Sequence, residues 1–415
     1  MEPHRPYIDR IIDPILLELF ATLPALMLTG PRATGKTTTA ARLAESVLRF
    51  DKREQAAVFE ADPDAALASF PEPILIDEWQ LVPNVLGAVK RAVDADHRPG
   101  RFILTGSSRD QLDSQMWPGT GRIVQKSMTG LTRREIEGDP TRVPFIDRVA
   151  AEGHKAVAPS PTDLGLADYL DLALSGGFPE PLSYPPGLAR DDWFASYINQ
   201  LVTRDAQGLD GHRDPVRLRR FFTVLALTSA GIVTDKTLYD KAEVNRATAV
   251  AYQQLLEALF ILYRVPAWST NRLKRLTKAP KRYLADPALL CSAAGLDRIG
   301  IMRDADLLGR VIDTFVTAQL RGEVAACRTR PEFFHLRQED GAHEVDLVIE
   351  LADQRVIAVE IKADSTPTRK AARHLIWMRD ALGDQFAHGL LLHTGPMATQ
   401  MDERITAAPI SAIWR

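Results

Sequence analysis

Length, composition and charge describe an ordinary globular protein and exclude several other classes. The chain has 415 residues, 45% of them hydrophobic and 25% charged, so we expect two or three domains, each with its own core. The 51 basic and 54 acidic side chains give a net charge of −3, which excludes a polybasic coat or an acidic tail. Two cysteines are too few for a disulfide framework and are typical of a reducing cytosol.

The amino-terminal segment carries charges from its start and lacks the apolar core of a signal peptide. No stretch approaches the roughly 18 apolar residues that a membrane-spanning helix needs. We therefore expect a soluble, cytoplasmic protein without a membrane partner.

The first 140 residues alternate between the periodicities of helices and strands. The pattern predicts helices over residues 8–20 and 35–50, and short apolar strands over 25–28, 74–76 and 102–104. Short apolar strands separated by helices are typical of a parallel sheet that is covered by helices on both faces. We therefore predict an α/β domain over residues 1–140.

The rest of the chain reads as a connector and two further domains. Prolines and small residues predict a connector over 141–165, and helices dominate the domain predicted over 166–300. Within it, residues 234–262 have the spacing of a helix-turn-helix. The α/β pattern returns in the domain predicted over 301–415. Its predicted elements are helices over 307–321 and 368–382, and strands over 332–336, 344–351, 355–361, 389–393 and 412–414.

Residues 30–37, Gly-Pro-Arg-Ala-Thr-Gly-Lys-Thr, match the phosphate-loop pattern G-x-x-x-x-G-K-[ST] between a predicted strand and a predicted helix. The glycines let successive amides point at an anion, and the helix presents its positive end to the same place. Lys36 is expected to reach the β- and γ-phosphates, and the Thr37 hydroxyl to ligate Mg²⁺. We predict ATP and Mg²⁺ as ligands, with binding residues Gly30, Pro31, Arg32, Ala33, Thr34, Gly35, Lys36, Thr37 and Thr38.

Two adjacent carboxylates end the apolar strand that follows this loop. Asp77 stands where a strand-tip carboxylate holds the magnesium ion of a phosphate-loop site. Glu78 is predicted to act as the general base that polarises the attacking water. Their place about 40 residues after the loop, in βαβ order, favours this function over that of an ordinary strand end.

Hydroxyl groups follow the next apolar strand. Thr105, Ser107 and Ser108 are placed to sense the γ-phosphate, although Thr-Gly-Ser-Ser is equally typical of a plain turn, and both interpretations stay open. Arg122, after Gly121, is a candidate arginine finger that a neighbouring subunit would receive.

The segments GPRATGKTT, ILIDEWQ and FILTGSS resemble the phosphate-binding, Walker B and sensor segments of the AAA-type ATPases of bacteria and archaea. More narrowly, the chain resembles a prokaryotic family that joins such a domain to a C-terminal region of uncharacterised function. It shares residues 176–180, 204–205, 286–287, 344–346 and 359–362 with that family. The resemblance implies an ATPase that forms homo-oligomers, in which a neighbouring subunit completes each site. Asp313 departs from the family pattern, in which a glutamate is expected.

The C-terminal region carries a second group of candidate residues. Asp346 precedes Glu360-Ile-Lys362 on a predicted hairpin, and strand alternation puts Glu360 and Lys362 on the same side. This is the arrangement of restriction-endonuclease-like folds, in which two carboxylates hold Mg²⁺ and the lysine positions water. Asp313 would add a further acidic group. A nuclease, a binding or assembly module of the same fold, and a solvated hairpin all stay open.

Basic residues of the middle domain suggest nucleic acid as a partner. The region 264–282 resembles the wing of a winged helix, and a basic stripe there would bind phosphates, although a solvated hairpin explains it as well. Its basic side chains are Arg272, Lys274, Arg275, Lys278 and Lys281, and a second group consists of Arg213, Arg217, Arg219 and Arg220. Three functions follow: an ATPase that acts on its C-terminal module, an ATP-gated nuclease or nucleic-acid-binding protein, and a nucleotide-dependent switch or scaffold with little turnover.

Overall fold

A computed structural model describes residues 6–107, 120–157, 161–205, 214–271, 275, 278–338 and 342–415, with the side chain of residue 205 excepted. The chain divides into two compact units. The first consists of Met1–Leu131, Glu135–Thr141 and Glu257–Ile261, and the second of Thr132–Arg134, Arg142–Leu256 and Leu262–Arg415. The domain boundaries given from the sequence stay predictions.

A five-stranded parallel sheet forms the centre of the first unit, where the sequence predicts a parallel sheet and three of the five strands. Its strands are β1 (Ala25–Thr29), β2 (Ser46–Arg49), β3 (Ile74–Asp77), β4 (Phe102–Gly106) and β5 (Val124–Ser127), in the order β2-β3-β4-β1-β5. β1, β3 and β4 are buried along their whole length, as parallel strands with apolar runs require. Because β4 lies between β1 and β3, the carboxyl ends of all three meet at one edge.

Helices Arg53–Ala61, Pro63–Ala68 and Val85–Ala95 contribute apolar side chains to one core cluster. Helix Val85–Ala95 buries Val85, Val89 and Val93, which recur every four residues and so lie on one face. These side chains join Trp79 and strand residues in the core cluster. The helices are Asp13–Phe20, Lys36–Ala41, Arg53–Ala61, Pro63–Ala68 and Val85–Ala95, and the short helix Arg133–Glu137 has residues in both units.

Helices and a two-stranded ribbon make up the first part of the second unit. The ribbon pairs β6 (Leu262–Val265) antiparallel with β7 (Lys281–Leu284). The helices up to residue 302 are Phe145–Glu152, Leu166–Ser175, Pro179–Leu182, Leu188–Gln200, Pro215–Leu227, Asp235–Ala242, Arg246–Ala258, Pro287–Ala294 and Arg298–Met302. A π-helical turn spans Leu201–Asp205. Among the described helices of the whole chain, none is both long and apolar enough to cross a bilayer.

A six-stranded mixed sheet forms the C-terminal part of the second unit, together with helices Ala305–Glu323 and Arg373–Leu382. The strands are β8 (Glu332–Gln338), β9 (His343–Glu350), β10 (Val356–Ile361), β11 (Phe386–His393), β12 (Thr399–Asp402) and β13 (Ile405–Pro409). Their order is β12-β13-β11-β10-β9-β8. β9 and β10 form the predicted antiparallel hairpin, in which Leu347 pairs with Val359.

Several predicted elements are wrong. The helix predicted over 35–50 ends at Ala41, because residues 46–49 pair with β3 as an edge strand and this pairing overrides the helical spacing. The predicted connector contains helix Phe145–Glu152. A 3₁₀ turn, Ile410–Ile413, replaces most of the strand predicted over 412–414. Residues 206–209, predicted as the end of a helix, lie outside the described residues.

Candidate nucleotide-binding site and C-terminal carboxylate cluster

The phosphate loop connects β1 to helix Lys36–Ala41 through three residues with left-handed or otherwise positive φ. Gly30 has φ +149°, Ala33 +61° and Gly35 +92°. A Cβ on Gly30 would lie 2.0 Å from the carbonyl oxygen of Met128, so no other residue fits there. The glycine positions of the motif therefore have a steric reason in this fold.

Lys36 folds back over the loop. Its ammonium donates to the carbonyl oxygens of Gly30, at 3.0 Å, and of Pro31, at 2.7 Å. The side chain is buried, and this burial lowers the pKa of Lys36 to about 8, against the opposing effect of the Glu78 and Asp77 carboxylates. The loop thus holds the desolvated ammonium of Lys36 beside its own carbonyl oxygens. An anion bound there would be strongly attracted to this ammonium, because little water screens the charge.

The strand order brings the predicted magnesium ligands together. The Thr37 hydroxyl donates to Oδ1 of Asp77 at 2.7 Å. Thr105, on the intervening strand β4, donates to the same oxygen. Hydroxyl and carboxylate oxygens are ligands that suit Mg²⁺. This pair lies at the amino-terminal end of helix Lys36–Ala41. Thr37 and Asp77 therefore fit a magnesium ion bound with nucleotide.

Glu78 lies beside this pair on a strained turn. Its φ of +56° lies in the left-handed region, which is unusual for a residue other than glycine. The Gln80 amide donates to its Oε2, and the Ser107 hydroxyl lies 3.5 Å from the same oxygen. Arg32 in turn donates to Ser107 at 3.3 Å. The predicted base, the predicted sensor hydroxyl and the loop are thus connected by hydrogen bonds.

Two residues that the sequence did not single out brace the loop from outside. Arg10 is buried and donates to the carbonyl oxygen of Thr34 at 2.8 Å and to Oε1 of Glu135 at 2.9 Å. It also donates to the carbonyl of Thr129 at 2.8 Å, and the Ile11 amide donates to Glu135 at 2.9 Å. The carbonyl of Thr34 and the amide of Gly35 belong to one trans peptide and point in opposite directions. The bond from Arg10 to the Thr34 carbonyl therefore directs the Gly35 amide away from Arg10.

Other predicted site residues are not brought into this group. Arg122 precedes β5, whose first residue, Val124, pairs with Leu26 near the start of β1, so Arg122 lies at the opposite end of the sheet from its own loop. Its guanidinium donates to Asp94 at 2.6 Å. Thr38 is exposed. Ser108 lies outside the described residues.

The C-terminal carboxylates and lysine also converge. The Lys362 ammonium donates to Glu360 at 2.9 Å and lies 4.0 Å from Oδ2 of Asp346. Burial, together with the Asp346 carboxylate, raises the pKa of Glu360 to about 8. Its Oε1 is buried and has no hydrogen-bond partner among the described residues.

A second lysine, from the β6–β7 ribbon, enters the same cluster. The Lys281 ammonium lies 3.1 Å from Oδ1 of Asp346 and 3.3 Å from Oδ2 of Asp313. Burial raises the pKa of Asp313 to about 6 against the effect of Lys281. Burial acts in the same direction on the pKa of Asp346, but Lys281 and Lys362 outweigh it and hold that pKa below its ordinary value.

The cluster does not fit a metal ion as it stands. Within the described ranges, no three His, Cys, Asp or Glu side chains lie close enough together to hold one. A protonated ammonium group stands between Asp313 and Asp346 instead. The structure brings together Asp346, Glu360 and Lys362, which the sequence analysis grouped, and adds Lys281, which the sequence analysis assigned to a basic stripe.

The described part of that stripe is only partly exposed. Lys281 is buried, which corrects its assignment to phosphate contacts, and Arg275 is paired with Glu350 at 2.6 Å. In the second basic group, Arg217 and Arg220 form ion pairs with Asp214 and Glu243. Lys278 is exposed. Arg213, Arg272 and Lys274 lie outside the described residues.

The Gly-Gly-Phe-Pro-Glu segment has a structural role. The Gly177 amide donates to Asp286 at 2.7 Å, and the same carboxylate accepts from the amide of Ala288 and so caps helix Pro287–Ala294. A Cβ on Gly176 would lie 2.6 Å from Oδ1 of Asp286. The segment and the Asp286-Pro287 pair are therefore two halves of one buried contact. Arg204 is exposed.

Comparisons with known proteins agree with the geometry of the first unit. Residues 23–137 match the AAA domain. Residues 166–299 and 308–413 match two domains of unknown function, DUF8612 and DUF4143. An uncharacterized protein of Mycobacterium bovis and one of Mycobacterium tuberculosis are each 28% identical over 396 residues, which covers 94% of this chain and 81% of theirs. An AAA domain implies nucleotide binding, whereas the matches beyond it name no activity.

Proposed function

We propose that the first unit binds ATP with Mg²⁺ and hydrolyses it, as an ATPase of the AAA class. The contact of Thr37 with Asp77, 2.7 Å long, carries this proposal because it places a hydroxyl and a carboxylate ligand together. The buried ammonium of Lys36 also supports it, because this group donates hydrogen bonds to two carbonyl oxygens of the loop.

Each residue has a distinct task in this proposal. The loop amides and Lys36 bind the phosphates, and Lys36 exchanges its bonds to two carbonyl oxygens for bonds to phosphate oxygens. Thr37 and Asp77 hold Mg²⁺, which when bound neutralises charge on the β- and γ-phosphates. Glu78 accepts a proton from the attacking water, and Ser107 orients that water.

Substitution of Glu78 by Gln separates binding from turnover. We expect ATP affinity to be unchanged in calorimetry, while steady-state phosphate release falls by roughly 10²- to 10⁴-fold, because the base is lost and the shape is kept. An equal loss of affinity and turnover would assign Glu78 to binding. Wild-type protein that binds ATP, releases almost no phosphate and changes particle size with nucleotide would instead be a switch or scaffold.

Arg122 is proposed to serve the site of a neighbouring subunit in a homo-oligomer. It is partly exposed and lies away from its own loop. We expect Arg122→Ala to retain ATP binding and lose turnover. A mixture of Arg122→Ala with Glu78→Gln subunits should recover part of the activity, because a mixed interface can combine an intact base with an intact arginine.

Metal-dependent cleavage of nucleic acid is the second candidate function. The convergence of Asp346, Glu360 and Lys362 supports it, but it requires the Lys281 ammonium to leave its place between Asp313 and Asp346. Plasmid cleavage in Mg²⁺ or Mn²⁺ by the wild type, lost in Asp346→Ala, would establish it. Equal behaviour of the two proteins would leave the C-terminal region as a binding or assembly module.

A further inference from the structure

Lys281 occupies the centre of the C-terminal carboxylate cluster. It belongs to β7, where its backbone pairs with Val265, and its side chain is 3% exposed. The ammonium donates to a carboxylate oxygen of Asp346 at 3.1 Å, to the backbone oxygen of Asp346 at 3.3 Å and to Asp313 at 3.3 Å. The three N–H donors of one ammonium thus meet three oxygens, two of them from carboxylates.

The remaining oxygens of the two carboxylates are also engaged. The Ile361 amide donates to Oδ2 of Asp346 at 3.0 Å. The hydroxyls of Tyr283 and Thr317 each donate to Oδ1 of Asp313 at 3.1 Å. Tyr283 lies two residues beyond Lys281 on the same strand, so β7 satisfies both oxygens of Asp313.

A divalent cation has no place in this arrangement. Mg²⁺ binds oxygens at about 2.0–2.1 Å in octahedral geometry, and it needs lone pairs that are not already accepting hydrogen bonds. The cation would also meet the positive charge of Lys281 across a few ångströms of buried space. It could enter only if the ammonium left.

We propose that the ammonium of Lys281 takes the place of a divalent cation in the C-terminal cluster. Lys281 lies between Asp313 and Asp346, and its ion pairs hold the β6–β7 ribbon against the C-terminal sheet. Once the ammonium is removed, the carboxylates of Asp313 and Asp346 offer two ligands to a divalent cation. This inference concerns the second unit and is independent of the proposed ATPase.

Titration of nucleotide-free, metal-stripped protein with Mn²⁺, followed by electron paramagnetic resonance, tests the proposal. Lys281→Met removes the ammonium and keeps most of the side chain's volume. We expect this variant to gain one bound Mn²⁺ per chain relative to the wild type, and the gain to disappear in Lys281→Met/Asp346→Asn. Lys278→Met, which removes an exposed lysine from the same segment, should bind Mn²⁺ like the wild type.

Two results would overturn the proposal. Wild-type protein that binds Mn²⁺ in a manner abolished by Asp346→Asn would mean that a metal already has access to the cluster. Folded Lys281→Met without the additional Mn²⁺ would mean that the carboxylates do not form a cation site. If Lys281→Met is recovered unfolded, Lys281→Gln replaces it, and the same gain of Mn²⁺ is required of it.

Discussion

The hydroxyl of Thr37 lies 2.7 Å from Oδ1 of Asp77, across 40 residues of sequence and one intervening strand. This contact exists because β4 inserts between β1 and β3, so that the loop after β1 and the end of β3 reach the same edge of the sheet. Topology, and not local sequence, therefore builds the ligand pair.

Asp77→Asn should weaken Mg²⁺ affinity in the presence of nucleotide by roughly 10- to 100-fold, because the amide keeps the shape and removes the charge. The measurement is ATP binding as a function of Mg²⁺ concentration. Asp94→Asn, which removes only the ion pairs of Asp94 with Arg122 and Lys90, serves as the control and should leave that dependence unchanged. Equal Mg²⁺ dependence of wild type and Asp77→Asn would remove Asp77 from the site.

The lowered pKa of Lys36, about 8, predicts that ATP affinity depends on pH. Below pH 8 the ammonium is charged in the free protein, whereas above it the charge must be regained on binding. Affinity should therefore fall about tenfold between pH 7 and pH 9, with proton uptake on binding at the higher pH. Calorimetry in buffers of different ionisation enthalpy measures both quantities. A flat profile without proton uptake would contradict the burial of this lysine.

Gly30→Ala should destabilise the protein by at least about 1–3 kcal/mol and abolish ATP binding, since the added Cβ meets the carbonyl of Met128 at 2.0 Å. Gly138→Ala is a matched control, because Gly138 also has positive φ, +90°, but a Cβ there meets no described atom within 4 Å. Unfolding in urea compares the two. Similar losses in both variants would show that backbone strain, and not the contact with Met128, makes Gly30 necessary.

Removal of Arg10 should leave the Glu135 carboxylate buried without its guanidinium partner, at a cost of roughly 3–5 kcal/mol in the free energy of unfolding. The double variant Arg10→Ala/Glu135→Ala should lose less than the sum of the single variants. ATP affinity should fall in Arg10→Ala as well, because the Thr34 carbonyl is released. Additive losses of stability would mean that the two side chains act independently.

The residues of the candidate nucleotide site could be singled out from the sequence because each lies in a local motif, although the strand order that brings them together is not local. The loop is one contiguous motif, and Asp77 and Glu78 end a short apolar strand whose burial in a parallel sheet is almost obligatory. In contrast, Arg10 and Glu135 are 125 residues apart, and neither lies in a motif. Their pairing depends on the packing of three separate segments, which periodicity does not report.

The same difference explains the errors in the second unit. Lys281 contacts carboxylates that are 32 and 65 residues away, so its sequence neighbours suggested a solvent-exposed basic stripe.

In the first unit, β2 and β5 are edge strands with mostly exposed or half-buried side chains, and they lack the apolar run that marks β1, β3 and β4. Pairing with a neighbouring strand, and not propensity, makes them strands.

Titration of wild-type protein and Lys36→Ala with ATP in the presence of Mg²⁺ tests the nucleotide site most directly. Calorimetry should detect ATP binding by the wild type and none by the variant under the same conditions, while circular dichroism shows both folded. Undiminished ATP affinity in Lys36→Ala, or a folded wild type that takes up no nucleotide, would contradict the account.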